Sequence, residues 1–483
     1  MTEDDSSVRP VSPARVWAAP VLLIGVTVAL AAVIGGVGGL VYLLLYAAAT
    51  LPGWPIGRTL FGRGHIAGWV VGAASGYALT AFAFSVAIFL GLHSVRGLLG
   101  VWVLLSSATW YIASRLPDRV RVALPDWTAR DATALCLMLL LVPALCSMPF
   151  AKVGVRDADG SRAYRAYFTM DLFWHTALTA EVSKFTTPPR NPYLAESPLH
   201  YYWTYFAVPA AVLGHASGAP GLTAQTILLV NALCTGILLL ALIYLLARSV
   251  VTRAGPVVAS VALVVLASSA EGLYALVDFT RRGHPFVRLR GANIDAISAW
   301  AYGGLRVDGL PRSFWWVPQH ASACALALVA LLLVALSDAD ASLGLILLAG
   351  GALGASVALS PLLGATFSLV YGAAVLVPAV REPRMLMKRL ALHALAAVPV
   401  GLALAWCVGT GVLEGAAGSM VYGVGGLAVH APFRSLALSL GPALLPALVG
   451  LAPVWRMPRA AWPAAAGLAV GLLLMYFVWV PLD

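Results

Sequence analysis

The chain has 483 residues, of which 61% are hydrophobic and only 10% charged, with 30 Lys and Arg against 20 Asp and Glu. So apolar a composition excludes a soluble globular protein and predicts a multi-pass membrane protein. The net charge of +10 sits mostly on loop arginines; it suits anionic lipid and phosphate and gives no separate reason to invoke nucleic acid.

The opening MTEDDSSVRPVSPAR is acidic before it is basic, has no small-residue cleavage site and leads into a long apolar run, which argues against a cleavable signal peptide. Apolar runs long enough for a ~30 Å hydrocarbon core follow at 17–49, 66–92, 97–115, 131–150, 222–247, 255–277, 319–337, 341–358, 361–380, 390–412, 435–454 and 460–480. The first contains Gly35 to Gly39 and reads as one long helix or two short ones, so the expectation is an all-α transmembrane bundle of twelve or thirteen spans. Three regions follow: N-terminal helices to 130, a central part at 131–320, and C-terminal helices from 321 to 483. The five cysteines lie in or beside apolar runs without metal-type spacing and read as small core residues.

Short arginine-rich loops set the orientation. Arg115, Arg119, Arg121 and Arg130, then Arg248 and Arg253, the cluster Arg381, Arg384, Lys388 and Arg389, and Arg456 with Arg459 all fall on one side, read as cytoplasmic. The parity holds only if residues 199–217 do not cross the bilayer but lie along or dip into the outer leaflet. Loops 151–221, 278–318 and 413–434 are then extracytoplasmic. The side of the N-terminus stays open, since it depends on whether the first run is a hairpin.

The polar chemistry concentrates in YFTMDLFWHTALTAEVSKFTTPPRNPYLAESPLHYYW, residues 167–203. Asp171 and His175, four apart on a helix, share one face. Such a pair reads as a structural hydrogen bond, as a catalytic carboxylate with its imidazole, or as two ligands of a divalent cation, for which no third ligand is evident. Lys184 follows at the end of that helix, and prolines 188, 189, 192 and 198 stiffen what comes next. Tyr201 and Tyr202 read either as membrane anchors or as faces on which a sugar stacks. The second outer loop carries Arg281, Arg282, Arg288, Arg290, Arg306 and Arg312, against the positive-inside trend. They read as a solvated or headgroup-contacting loop, or as a pocket for a lipid-linked phosphate, whose oxygens a guanidinium fork matches. WWVPQH (315–320) places Gln319 and His320 at an outer helix mouth, and LSPLLGA (359–365) makes an outer proline turn.

Asp171 in DLFWH, NPY (191–193), SPLHYYW (197–203) and LLLALIYLLAR (238–248) together resemble the GT-C superfamily of membrane glycosyltransferases, which use polyprenyl-phosphate sugars. The likeness covers roughly residues 131–320. Two features depart from it: several spans precede the acidic loop, and Asp171 lies about 20 residues beyond the apolar run. The resemblance implies a bacterial inner-membrane enzyme of cell-envelope synthesis that transfers sugar to a glycan, lipid or protein acceptor on the outer face. Asp171 would be the general base, with His175 beside it. Lys184, Arg281, Arg282, Arg288, Arg290, Tyr201, Tyr202 and His320 would bind substrate. A second acidic residue would be Glu271, Asp278, Asp295 or Asp308; a divalent cation is left open as cofactor. The competing classes are a lipid or solute transporter, which usually places ionisable residues near the bilayer midplane, and a noncatalytic partner in envelope glycan assembly.

Overall fold

The computed structural model describes residues 13–116, 120–151, 153–164, 166–216, 218–267, 269, 277–285, 287, 309–337, 342–380, 383–414, 421–422, 433, 437, 440–451 and 459–479. The chain is an all-α helical bundle with, among the described residues, three small two-stranded antiparallel sheets. Among the described residues, seven helical stretches are long and apolar enough to cross a membrane: Trp17–Phe61, Ile66–Phe89, Val95–Arg115, Ala129–Phe150, Ala224–Val250, Pro318–Leu336 and Leu386–Gly409. Five shorter apolar helices of 10–17 residues accompany them. All five cysteines are free, and every one except Cys324 is buried, as their apolar setting predicts.

The first run is a hairpin. Helix α1 (Pro13–Ala49) loses helical geometry at Gly35 and Gly36, where Gly36 takes φ +57°. A Cβ on Gly39 would run into the carbonyl oxygen of Ala31, although eight residues along a straight helix separate two positions by about 12 Å. The chain therefore folds back. The returning limb continues through α2 (Trp54–Phe61), and α3 (Ile66–Phe89) climbs against it.

Glycines let these backbones meet. A Cβ on Gly53 would strike the carbonyl of Gly72, one on Gly57 that of Gly68, and one on Gly76 that of Thr50. Gly57→Ala should therefore lower stability by roughly 1–3 kcal/mol, against the ~1 kcal/mol gain that helix propensity alone offers. Gly100→Ala, in α4 (Val95–Arg115) with nothing near its Cβ, serves as control. Unfolding in detergent reads the sign: a more stable Gly57→Ala would refute the close packing.

Contacts between segments sort the loops to the two ends of the bundle. At one end Thr187 donates to the Ile88 carbonyl, His200 meets Gly411, and Tyr202 meets His320. At the other Val122 N–H donates to the Leu60 carbonyl, His65 packs on Trp127, and Leu116 lies against Gly344. That second end also holds α5 (Ala129–Leu139), which α6 (Leu141–Phe150) extends, and the last turn of α9 (Ala224–Val250). There Arg248, fully buried, donates from Nε to Asp131 Oδ1 at 2.7 Å and from Nη2 to the Asp126 carbonyl at 2.9 Å. The arginine that ends this span thus ties two loops together.

Residues 199–216 do not cross. Helix α8 (Ala207–Ala216) has 10 residues, about 15 Å, and both of its flanks lie at the first end, His200 against Gly411 and His215 against Phe185. The segment is re-entrant, and Trp203, Tyr205 and Phe206 are buried in the bundle. Tyr205 bonds Thr235, in a cluster where Tyr42 and Tyr77 bond Asn231. The chain continues through α10 (Ala254–Ala267), α11 (Pro318–Leu336), α12 (Leu343–Leu359), α13 (Pro361–Val380), α14 (Pro383–Ala394) and α15 (Ala397–Gly409).

Candidate functional site

Helix α7 (Ala166–Val182) carries Asp171, Trp174 and His175 along the first end of the bundle. Against it lies the irregular segment 199–206, and behind both the mouth of α11, whose Pro318 begins the helix and sets Gln319 and His320 in its first turn.

His175 is 4% exposed. The Gln319 amide Nε2 lies 3.2 Å from its Nε2 and 3.3 Å from the Tyr201 hydroxyl. Donation from the amide makes Nε2 the acceptor, so the imidazole proton sits on Nδ1. Burial, with His320 adding to it, lowers the pKa of His175 to about 3, so the ring is neutral at any physiological pH. His175 is thus a buried, neutral, hydrogen-bonded ring that braces α7 against α11. A folded pKa below the unfolded value of ~6.5 means that stability is present above pH ~6.5 and declines as protons are taken up on unfolding. Lowering the pH from 6.5 to 5 should therefore cost roughly 1–2 kcal/mol, and less in His175→Asn; equal losses would contradict the assignment.

An aromatic ladder runs outward from this point. Tyr201 and Tyr202 stack at 4.1 Å, Trp174 meets Tyr201 edge-on at 5.5 Å, and Tyr193 lies 5.4 Å from Trp174. At the inner end the Tyr202 hydroxyl is 3.1 Å from His320 Nε2, and His320 Nδ1 is 2.9 Å from Ser360 Oγ. Asp171, half-buried, adjoins the ladder: burial first, with the Asp171 carboxylate adding to it, raises the phenol pKa of Tyr201 and of Tyr202.

A cavity of about 10 Å³ beside His175 is lined by Leu172, Trp315 and Trp316 among others, room for about one water. Asp171 is not in its wall. Arg312, 4% exposed, stacks its guanidinium 5.8 Å above the Trp316 ring.

A second space is much larger. A groove of about 360 Å³, lined mostly by aliphatic side chains of α3, α11, α12 and α15, ends at Thr204 and Leu359. Leu359 precedes Ser360, the partner of His320, and Thr204 follows the Tyr201–Tyr202 pair by two residues. Leu347 and Leu402 in its wall are exposed on the outside of the bundle. Along α12 the groove runs from Leu347 to Leu359, about 18 Å.

Of the residues singled out in the sequence, Asp171, His175, Tyr201, Tyr202 and His320 come together. Lys184 does not. It pairs with Glu181, which lies about 15 Å along α7 from Asp171. Arg281 is exposed, and Arg282 is held by Asp278 at 3.0 Å, which also engages one candidate for the second acidic residue. Arg288, Arg290, Arg306, Glu271, Asp295 and Asp308 lie outside the described residues. Among the described residues no group of three His, Cys, Asp or Glu could hold a metal ion. Ser360 and Thr204 were given no role by the sequence, although LSPLLGA drew attention to the turn that holds Ser360. No protein-family model, curated protein or solved structure matches the chain.

Proposed function

We propose that this membrane protein is a glycosyltransferase of the GT-C kind, moving a sugar from a polyprenyl-phosphate donor to an acceptor hydroxyl on the extracytoplasmic face, with Asp171 as general base. The observation that carries the reading is that the aliphatic groove reaches Thr204 and Leu359, next in the chain to the Tyr201–Tyr202 pair and to Ser360, the partner of His320; a polyprenyl chain lying in the groove would then bring its head group toward the ladder and Asp171. Aromatic rings suit the apolar faces of a pyranose, and carboxylate and imidazole groups suit its hydroxyls.

In this scheme Asp171 removes the proton of the acceptor hydroxyl as its oxygen attacks the anomeric carbon. The bond from that carbon to the phosphate oxygen breaks, polyprenyl phosphate departs with the bonding pair, and the anomeric configuration inverts. Arg312 on Trp316 offers positive charge to the leaving phosphate from within the protein, where a fixed cation acts more strongly than in water. His320, held between Tyr202 and Ser360, orients the ladder's inner end. The arginine-rich end of the bundle then faces the cytoplasm.

The test is transfer by the purified protein in liposomes containing polyprenyl-phosphate hexoses. Protein-dependent release of polyprenyl phosphate with sugar transfer to an added acceptor is expected. Turnover of a soluble nucleotide sugar in place of every lipid-linked donor would refute the proposal.

A further inference from the structure

At the end of the bundle opposite Asp171 lies a pocket that the proposed reaction does not use. Its volume is about 230 Å³, and its walls are Trp54 and Arg58 on α2, the link Gly62–His65, and Gly68 and Trp69 on α3. The glycine contacts described above clamp α2 and α3 together, so the link is short and set. Gly62 and Gly64 take φ of +83° and +81°, angles that side-chain-bearing residues rarely adopt, and they place Arg63 between them.

Three nitrogen donors converge there and, among the described residues, no acidic residue lines the pocket. Neither Arg58 nor Arg63 enters an ion pair among the described residues. His65 Nδ1 accepts the Ala67 N–H at 3.1 Å, which fixes the proton on Nε2, so the ring offers an N–H even when uncharged. The ring is held between Phe61 and Trp127, at 5.7 and 5.2 Å. On the membrane-ward side the wall turns apolar: Trp54 stacks on Trp69 at 5.2 Å and meets Trp110 edge-on at 6.2 Å, and all three rings are exposed. Exposed tryptophans beside arginines mark the boundary between head groups and acyl chains.

We propose that this pocket binds a phosphate-bearing anion, with the phosphate between Arg58, Arg63 and His65. Guanidinium forks and an N–H donor match phosphate oxygens, and the tryptophans would cover the first carbons of an acyl chain if the phosphate belongs to a lipid. The chemistry is shared by an anionic lipid head group and by free phosphate. The shape, polar above and aromatic below, favours the lipid.

Native mass spectrometry of the full-length protein in detergent tests this with dioleoyl phosphatidylglycerol, dioleoyl phosphatidylcholine and sodium phosphate as probes. One phosphatidylglycerol should bind at least several-fold more tightly than phosphatidylcholine. Arg58→Gln and Arg63→Gln should each weaken it about tenfold, the loss of one charge-assisted hydrogen bond. Arg115→Gln is the control, removing one charge at the same end, where Arg115 rests on Tyr111 outside the pocket, and should leave binding unchanged. Displacement by millimolar phosphate would identify free phosphate as a sufficient ligand; no displacement would identify the lipid. Equal binding of the two lipids without phosphate binding, or equal losses in all three variants, would overturn the proposal. The substituted side chains are exposed, and an unchanged melting temperature verifies that each variant is folded.

Discussion

Asp171→Asn should reduce sugar transfer by about 10²–10⁴-fold, the usual contribution of a positioned general base, while the lipid-linked donor binds within a few-fold of its original affinity. The asparagine keeps the volume and removes the proton acceptor beside Tyr201 and Tyr202. Single-turnover transfer and donor binding measured on the same preparation separate the two effects. Because His175 is neutral and buried, His175→Asn should cost less in transfer than Asp171→Asn and more in stability. Near-normal turnover in Asp171→Asn would remove the base from the scheme and leave α7 a structural helix.

The second large effect is on stability. Arg248→Met leaves the Asp131 carboxylate 4% exposed, with its only remaining described donors the N–H and hydroxyl of Thr128, 2.7 and 2.8 Å from Oδ2. An unpaired buried charge costs about 3–5 kcal/mol. The variant should be destabilised by that amount, and Arg248→Met combined with Asp131→Leu should recover a large part of it, because an apolar pair of similar volume is often no worse than the ion pair. Unfolding of all four members of the cycle in detergent measures the coupling. An Arg248→Met variant as stable as the parent would show that water reaches Asp131 and that the two loops are not tied there.

Membrane class, helical architecture and the gathering of polar residues near Asp171 were legible in the sequence, because apolar run length and local clustering are one-dimensional signals. Gln319 and His320 were visible at their helix mouth for the same reason. What was hidden depends on contacts between distant segments. The turn at Gly35 and Gly36 is decided by Gly39 meeting Ala31, and no hydropathy plot distinguishes that from a bent span. The aromatics of 199–206 look like interfacial anchors from composition, yet Trp203, Tyr205 and Phe206 are buried, because the re-entrant segment packs against α3 and α9. Lys184 was assigned to substrate because it shares a segment with Asp171, whereas Glu181 three residues earlier neutralises it. Arg58, Arg63 and His65 drew no attention, since only the glycine-mediated closeness of α2 and α3 makes them one pocket.

The central claim, that a polyprenyl chain lies in the aliphatic groove with its phosphate beside Asp171, is tested most directly by photo-crosslinking with a polyprenyl-phosphate sugar carrying a diazirine in its chain. The expected products map to the groove wall, at residues such as Leu347, Leu402 and Leu359. They should be displaced by unmodified donor and persist in Asp171→Asn. Crosslinks spread evenly over the exposed helices, undiminished by competing donor, would contradict it.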